Sequence, residues 1–427
     1  MPHKTPHIAV LGAGITGTTM AYKLLDRGFD VTIIDRQPYA AMETSYANGG
    51  QLSASNAEVW NSWGTVLKGM KWLLKKDAPL SMNLSPSWHK YSWLAEFVAA
   101  IPQHRQNTLD TVRMARIARG HLLDMAERAG IDFDLERRGI LHVYKDAREF
   151  DAGRRATKLL AEGGLERREV TPDEIAQIEP ALPRGLIGGF FTDSDFTGDI
   201  HKFSNGLARD FKARGGRVLM NTVIEHAVSD GKTALLDLYQ DGVRDRVRYD
   251  GVVVSAGIGS RALGAQFGDR VNVYPVKGYS ITVNLDDTAS QQAAPWVSLL
   301  DEKAKIVTSR LGKSRFRIAG TAEFNGANYD IRADRVKPLV EWCRSNFPDV
   351  CTENTVPWAG LRPMMPNMVP HLGQGRLPNV FYNTGHGHLG WTLSAATAET
   401  VSAAMEARYF GTARPTQITG GLTHAAA

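Results

Sequence analysis

The segment 8–36 constrains this chain more than any other. An apolar run, Ile8 to Leu11, leads into Gly12, Gly14 and Gly17. An amphipathic stretch follows, then Gly28, then a second apolar run, Val31 to Ile34, that stops at Asp35. The order predicts strand, glycine-rich turn, helix, strand and acid. Gly12 permits the tight turn, Gly14 lets a pyrophosphate approach the backbone, and Gly17 lets the helix lie close on the strands. The helix N-terminus offers free N–H groups and a positive dipole end to phosphate. Asp35, 18 residues beyond Gly17, is placed to accept both ribose hydroxyls. Three glycines alone would say little. In this full order they point to dinucleotide binding, against the alternative of a glycine-rich turn in some other α/β protein.

The remaining bulk features narrow the class. With 427 residues, 43% of them hydrophobic, the chain can build a large core and roughly two to three domains. The net charge of +5 is spread along the chain, which gives no reason to expect a nucleic-acid partner. The two cysteines, Cys343 and Cys351, lie eight apart near an expected helix end. They read as free thiols in a reducing compartment, and two cysteines without a histidine cluster predict no metal site. No apolar run reaches the length of a membrane span, and nothing after Ile8 resembles a cleavage site.

Beyond Asp35 the pattern is mixed. Helices are expected at 108–129, 148–164, 200–214, 334–346 and from the glycine-rich segment near 390 to about 408. Thr171 and Glu174 form a capping pattern. Strands are expected at 138–145, 186–192, 217–227, 233–239, 245–255, 273–284, 304–311, 315–321 and 379–383. The strand 245–255 runs into a second glycine turn at Ser255 to Ser260. The result is an α/β fold with an α+β second part: a Rossmann-like unit interleaved with an antiparallel-sheet substrate domain. The boundaries expected are 1–85, 190–270 and 355–415 for the first, 86–189 and 271–354 for the second, with 416–427 as a tail.

Further motifs separate the possible dinucleotides. Gly12-Ala13-Gly14-Ile15-Thr16-Gly17 and Asp35-Arg36 are followed by Glu43-Thr44-Ser45-Tyr46-Ala47-Asn48-Gly49-Gly50-Gln51. Then come Thr197-Gly198-Asp199, Tyr274 to Ser280, Trp358 to Pro363, and Asn383 to Trp391. In this order, over roughly 7–410, the chain resembles the catalytic subunit of bacterial D-amino acid dehydrogenases. That family sits within a larger group with D-amino acid, glycine and sarcosine oxidases. The resemblance implies FAD, with Asp35, Arg36, Thr44, Ser45, Asn48, Gly49 and Gln51 along it. It also implies Val223 at the adenine, Ala256 and Gly257 in a second cofactor turn, and Gly385, His386, Gly387, His388, Leu389 and Gly390 closing over the flavin's pyrimidine edge. Sarcosine oxidases attach FAD through a cysteine; neither cysteine here lies in such a motif, so FAD is expected to be non-covalent.

Oxidising an amino acid at a flavin asks two things of the protein: a cation for the substrate carboxylate, and positive potential where the reduced flavin gathers charge. Arg362 is the candidate for the first, because a guanidinium fork matches a carboxylate and stays charged. The resemblance implies the same role; a structural ion pair is the alternative. His386 is the candidate for the second, ahead of His388, in a glycine loop whose backbone N–H groups can approach a ligand closely; hydrogen bonds from one or both rings to a neighbouring loop are the alternative. Lys277 and Tyr279 are candidates to reach the flavin or substrate edge, or else ordinary sheet residues, and Arg310 is a weaker carboxylate candidate. The chain departs from the family at Ala304, where relatives often place a tyrosine, and at Met365-Pro366-Asn367-Met368, where relatives carry Thr-Pro-Asp-Gly. These changes suggest a wider or more apolar pocket for a bulkier D-amino acid or a cyclic imino acid.

Five tryptophans fall between residues 60 and 93, interleaved with Lys68, Lys71, Lys75 and Lys76. The segment 58–105 reads first as packing that covers the active site or meets a second copy. Peripheral contact with a bilayer interface is the alternative. The sequence thus predicts a cytoplasmic FAD enzyme, or one lying on the inner face of the cytoplasmic membrane. It oxidises D-amino acids to 2-oxo acids and ammonia and passes electrons to a quinone or carrier. An oxidase of glycine, sarcosine or another secondary amine is the alternative, and a non-catalytic flavin-binding subunit a further one.

Overall fold

The computed structural model describes residues 5–73 and 78–411, so the expected tail, 416–427, and Lys75 and Lys76 lie outside the described residues. A six-stranded sheet forms the dinucleotide unit. Its order is His371–Gln374, Val380–Thr384, Gly251–Val254, His7–Leu11, Asp30–Ile34 and Arg217–Leu219. All neighbours are parallel except the edge strand His371–Gln374. The central strands read as unbroken apolar runs because both faces are covered. On one face Ile8, Val10 and Ile33 pack with Met20 and Leu24 of the helix Ile15–Asp26 and with Val401 and Met405 of the helix Gly390–Phe410. On the other, Ala9, Leu11 and Val252 meet Leu236 and Leu238 of a three-stranded antiparallel sheet, Val223–Ser229, Ala234–Gln240 and Val243–Tyr249.

A larger, mostly antiparallel sheet forms the second layer. From one edge it runs Thr355–Met364, Tyr274–Asn284, Arg315–Phe324, Ile306–Leu311, Ser298–Asp301, Ile140–Tyr144, Gly188–Thr192, Arg168–Val170, and Leu80–Met82 pairs with Arg315–Phe324. The helix Ala333–Asn346 lays Leu339, Trp342 and Cys343 on Tyr279, Ile281, Phe316 and Ile318. Cys343 and Cys351 are free thiols.

Several expected strands divide. The run 217–227 breaks at Asn221, whose φ is 53°, so its halves enter different sheets. The run 245–255 breaks at Asp250, whose N–H bonds to the His7 carbonyl. The strand expected from 304 starts at Ile306, because Asp301 accepts the N–H groups of Lys303 and Ala304 and Lys305 takes a φ of 55°. Ser298–Asp301 was not expected as a strand. Pairing also moves segments across the expected boundaries: Thr355–Met364, Gly188–Thr192 and Leu80–Met82 all belong to the large sheet. A strand's sheet is decided by distant partners, which local pattern does not contain.

The tryptophan-rich segment divides as well. The helix Trp63–Leu73 buries none of its residues, and Trp63 and Trp88 are exposed. By contrast, Trp93 is buried in the helix Trp88–Ala99, with its Nε1–H on the Met364 carbonyl at 2.8 Å. Among the described residues no helix is long and apolar enough to cross a membrane.

Candidate active site

One cavity of about 1380 Å³ lies between the two main sheets. Of the residues singled out from the sequence for cofactor or substrate, all but Gly17, Lys277 and Arg310 line it. Gly17 has the structural task expected of it: a Cβ there would overlap the Gly12 carbonyl. Gly12 has a φ of 111°, and a Cβ would come within 2.6 Å of the Ser255 carbonyl oxygen. At Gly14 a Cβ would meet only Ser45 Oγ, at 3.5 Å, so this backbone is left open on the cavity side. Gly14 is also the N-cap of the helix and offers no side chain to its free N–H groups. Asp35 accepts from Ala13 N at 2.6 Å and from Gln37 N at 2.8 Å. Burial raises its pKa despite those bonds, yet each oxygen keeps a lone pair for a ribose hydroxyl. Arg36 is tied to Glu43. These features fit an adenine dinucleotide.

The loop from Thr44 to Gln51 is stapled to the large sheet. The Thr44 hydroxyl donates to the Leu361 carbonyl at 2.7 Å, Ser280 Oγ to Ala47 O at 2.6 Å, and Ser309 Oγ to Gly49 O at 2.6 Å. Arg317 donates to the Asn48 carbonyl, and Gln51 donates to Ser298 and Leu299. A Cβ at Gly49 would come within 2.8 Å of Val307, so the loop approaches the sheet as only glycine allows. Ser45 Oγ accepts from Ile15 N at 3.1 Å. One loop therefore joins the dinucleotide turn to the substrate sheet, with Val223, Ala256 and Gly257 on the same cavity.

Arg362 sits on Thr355–Met364, beside Val276 of the neighbouring strand. Its Nη1 donates to the Thr321 carbonyl at 3.0 Å. Gly278 makes room for the guanidinium, since a Cβ there would overlap it. Among the described residues it has no carboxylate partner. Burial pushes its pKa down to about 10, so it stays protonated at neutral pH. A desolvated cation without a counter-ion is costly unless a ligand supplies one.

Both histidines line the cavity and each is hydrogen-bonded. His386 Nε2 lies 2.9 Å from Thr397 Oγ1, and burial pushes its pKa down to about 3. His388 stacks on Trp60, with centroids 4.5 Å apart, and its Nε2 faces the Asn56 carbonyl at 3.2 Å. Burial, aided by the Arg362 charge, takes it down to about 4. A carbonyl only accepts, so Nε2 carries the proton and the unpartnered Nδ1 is an acceptor. Neither ring supplies a positive charge at neutral pH. The positive end comes instead from the helix Gly390–Phe410, whose first residues line the cavity and which has no side-chain cap. The turns at Gly385 (φ 77°) and Gly387 (φ 59°) bring the chain to it.

The other candidates are occupied elsewhere. Lys277 Nζ is fully buried on Asn328 at 2.7 Å, Asp330 O at 3.1 Å and Glu323 at 3.4 Å. The Tyr279 hydroxyl donates to Glu323 at 2.8 Å, so its polar end is committed although the residue lines the cavity. Arg310 donates to four backbone carbonyls, of Gly312, Ala294, Gln291 and Lys313. Ala304 packs on the hydrophobic core below the large sheet and does not line the cavity. Sequence reasoning missed Ser55, His142, Arg167, Glu302 and Lys305, which do line it. A histidine in the middle of the otherwise apolar strand Ile140–Tyr144 was the available signal.

A parallel sheet with a glycine turn and ribose acid, roofed by an antiparallel sheet that carries an arginine without a carboxylate partner among the described residues, has the build of a dinucleotide-dependent enzyme. Residues 7–404 match the family described as FAD dependent oxidoreductase, and the chain belongs to that family. It is 60% identical over 393 residues to D-amino acid dehydrogenase 3 of Mesorhizobium japonicum, covering 92% of this chain and 95% of that one. It is 40% identical over 410 residues to a D-amino acid dehydrogenase of Dechloromonas aromatica, covering 94% and 97%. The fold is similar to that of glycine oxidase from Geobacillus kaustophilus, with a TM-score of 0.72, 21% identity and 95% of each chain covered.

Proposed function

We propose that this chain oxidises D-amino acids to imines, which water converts to 2-oxo acids and ammonia, and that a quinone or electron carrier takes the electrons. The observation that carries the reading is Arg362, a guanidinium without a carboxylate partner among the described residues, on the wall of the cavity that the glycine turn and Asp35 also line. The relatives named D-amino acid dehydrogenases support the substrate class.

Bound FAD supplies the acceptor for a hydride from the substrate α-carbon. The chain's own part is to hold and orient. Arg362 takes the carboxylate, so the α-carbon is fixed in two directions by one fork. The first turn of Gly390–Phe410 and the backbone around Gly385–Gly390 offer N–H groups to developing negative charge. Val59, Trp60, Trp93, Phe97 and Met364 make an apolar wall that excludes water and receives the substrate side chain. That wall favours larger or cyclic side chains, so an imino acid of the D-proline type is the second reading. Neither cysteine lines the cavity, in keeping with non-covalent FAD.

The exposed Trp63, Leu67 and Met70 of the helix Trp63–Leu73, together with Trp88, form the face we assign to peripheral contact with a membrane surface that would hold the quinone. The test is anaerobic mixing with D- and L-amino acids, D- and L-proline, glycine and sarcosine while flavin absorbance is followed. Bleaching by D-substrates, slow recovery in air and fast recovery with a quinone analogue is the expected result. Bleaching by sarcosine or glycine, with rapid recovery in air and peroxide, would overturn it.

A further inference from the structure

A row of hydrogen-bonded groups on the cavity wall is unused by the reading above. Ser55 Oγ lies 3.0 Å from His142 Nε2, His142 Nδ1 lies 3.2 Å from Glu302 Oε1, and Glu302 Oε2 lies 2.6 Å from Lys305 Nζ. All four residues line the cavity. Ser55 and His142 are 3% and 2% exposed, whereas the side chains of Glu302 and Lys305 are 22% and 42% exposed. The row therefore leads from a closed end at Ser55 to a more accessible end at Glu302 and Lys305.

The fold holds each member in place. Ser55 lies in the turn Ala54–Asn56, where Asp195 accepts the N–H groups of Ala54 at 3.0 Å and Ser55 at 3.1 Å. His142 is central in Ile140–Tyr144, and Glu302 follows Ser298–Asp301, the parallel neighbour that pairs Leu300 with His142. The carbonyl of Asn56, next to Ser55, holds His388, whose ring feels the charge of Arg362. The buried end of the row is thus linked through Asn56 and His388 to the field of the carboxylate anchor, on the same cavity.

Counting protons sets its direction. Burial alone would raise the pKa of Glu302, but Lys305 and His142 hold it well below the usual carboxylate range. An ionised carboxylate only accepts, so His142 carries its proton on Nδ1 and Nε2 is an acceptor. The Ser55 hydroxyl must then donate to His142 and accept from the Ser53 hydroxyl at 3.0 Å, which leaves its oxygen one lone pair that can only accept. The charged and titratable groups facing His142 are Arg167, Glu302 and Asp195; Tyr144 lies on its own strand, and Glu58 and Glu149 stand around Lys305.

We propose that Ser55, His142 and Glu302 form the path by which a substrate ammonium loses the proton that must go before hydride can leave its α-carbon; this rests on the amino-acid reading above. The substrate N–H bond breaks as a Ser55 O–H forms, and the original Ser55 O–H breaks as His142 Nε2–H forms. His142 Nδ1–H then breaks as Glu302 Oε1–H forms, and solvent at the exposed edge takes that proton. No electrons move in these steps. Passing a hydride onward to a quinone-class acceptor consumes one proton, and its return along the same row restores the resting tautomer. Ser55 is the group that meets the substrate; His142 and Glu302 are positioning residues that act through it. Burial, then Arg167, pushes the pKa of His142 down to about 4, so it passes a proton without storing it. At about pH 8 roughly one ring in 10⁴ is protonated.

The test uses His142→Gln in the holoenzyme, because a glutamine can accept from Ser55 and donate to Glu302 yet cannot carry a proton. Ser55→Ala is the second variant, should the first not fold. The readout is the limiting rate of anaerobic flavin reduction by a saturating D-amino acid, in wild type and variants of equal flavin content, across pH. The expected result is a loss of about 10²-fold near neutral pH that disappears in alkaline solution, where the amine arrives already neutral. A loss of the same size at every pH, or no loss, would overturn the path. Wild-type flavin that no D-amino acid bleaches would instead overturn the reading on which the path rests.

Discussion

At the dinucleotide end of the cavity, Gly12, Gly14, Gly17 and Asp35 belong to one unbroken strand–turn–helix–strand segment. At the substrate end, Ser55, His142, Glu302 and Arg362 come from four separated parts of the chain: the large sheet carries His142 and Arg362 and sets Glu302 beside His142, and Ser55 joins them through its hydrogen bond to His142, all on one cavity. The first end is built mainly from backbone: close approach, a positive φ, a helix N-terminus and two N–H groups on Asp35. The second is built from polar and charged side chains whose protonation is set by burial and neighbours. A backbone site tolerates no extra atoms, whereas a side-chain site tolerates atoms but not a change of charge.

Substitutions can break that contrast. Gly17→Val should have the largest effect, because its Cβ would overlap the Gly12 carbonyl and cannot be relieved by a rotamer. Flavin content of the purified protein and its yield should both collapse; a flavin-replete Gly17→Val would show that the turn is not rigid. Arg362→Lys comes next. The charge remains but the fork is lost, and kcat/KM should fall by about 10²-fold with flavin content unchanged. Asp35→Ala should weaken FAD by about 10-fold in titrations of the apoprotein, leaving the reduction rate of the flavin-loaded protein alone.

The pH profile sharpens the electrostatic half. Arg362 holds its charge below about pH 10 and loses it above, so KM should rise as pH passes that value. His386 and His388 are neutral above about pH 4, so neither adds a change in KM between about pH 5 and 8. A KM step near neutral pH would mean that one of them is charged in the holoenzyme. The smallest effect on chemistry is expected for Lys277→Met. It strips Glu323 of a buried partner and should cost stability on the order of 3 kcal/mol in denaturant titrations. The folded fraction should reduce its flavin within a few-fold of wild type.

The same contrast explains what was legible in the sequence. The glycine turn, the ribose acid and the first helix could be read because their spacing along the chain is their spacing in space. Arg362 and the loop Gly385–Gly390 were found through ordered motifs, although the pairing of Thr355–Met364 with the large sheet was not. Lys277 and Arg310 looked like candidates because burial with full pairing leaves no mark on a lone basic residue. The neutral state of His386 and His388 was not legible, since desolvation depends on the neighbours that close over them. Ser55, His142 and Glu302 carry no local motif; only the parallel pairing of Ser298–Asp301 with Ile140–Tyr144 brings the last two together.

The central claim is that Arg362 selects substrates by their carboxylate. The measurement that tests it most directly is stopped-flow flavin reduction by a D-amino acid and by the matching amine that lacks the carboxylate, in wild type and Arg362→Ala. The account predicts a preference for the amino acid of about 10²-fold or more in wild type that largely vanishes in the variant. An Arg362→Ala protein that keeps both its flavin and that preference would contradict it.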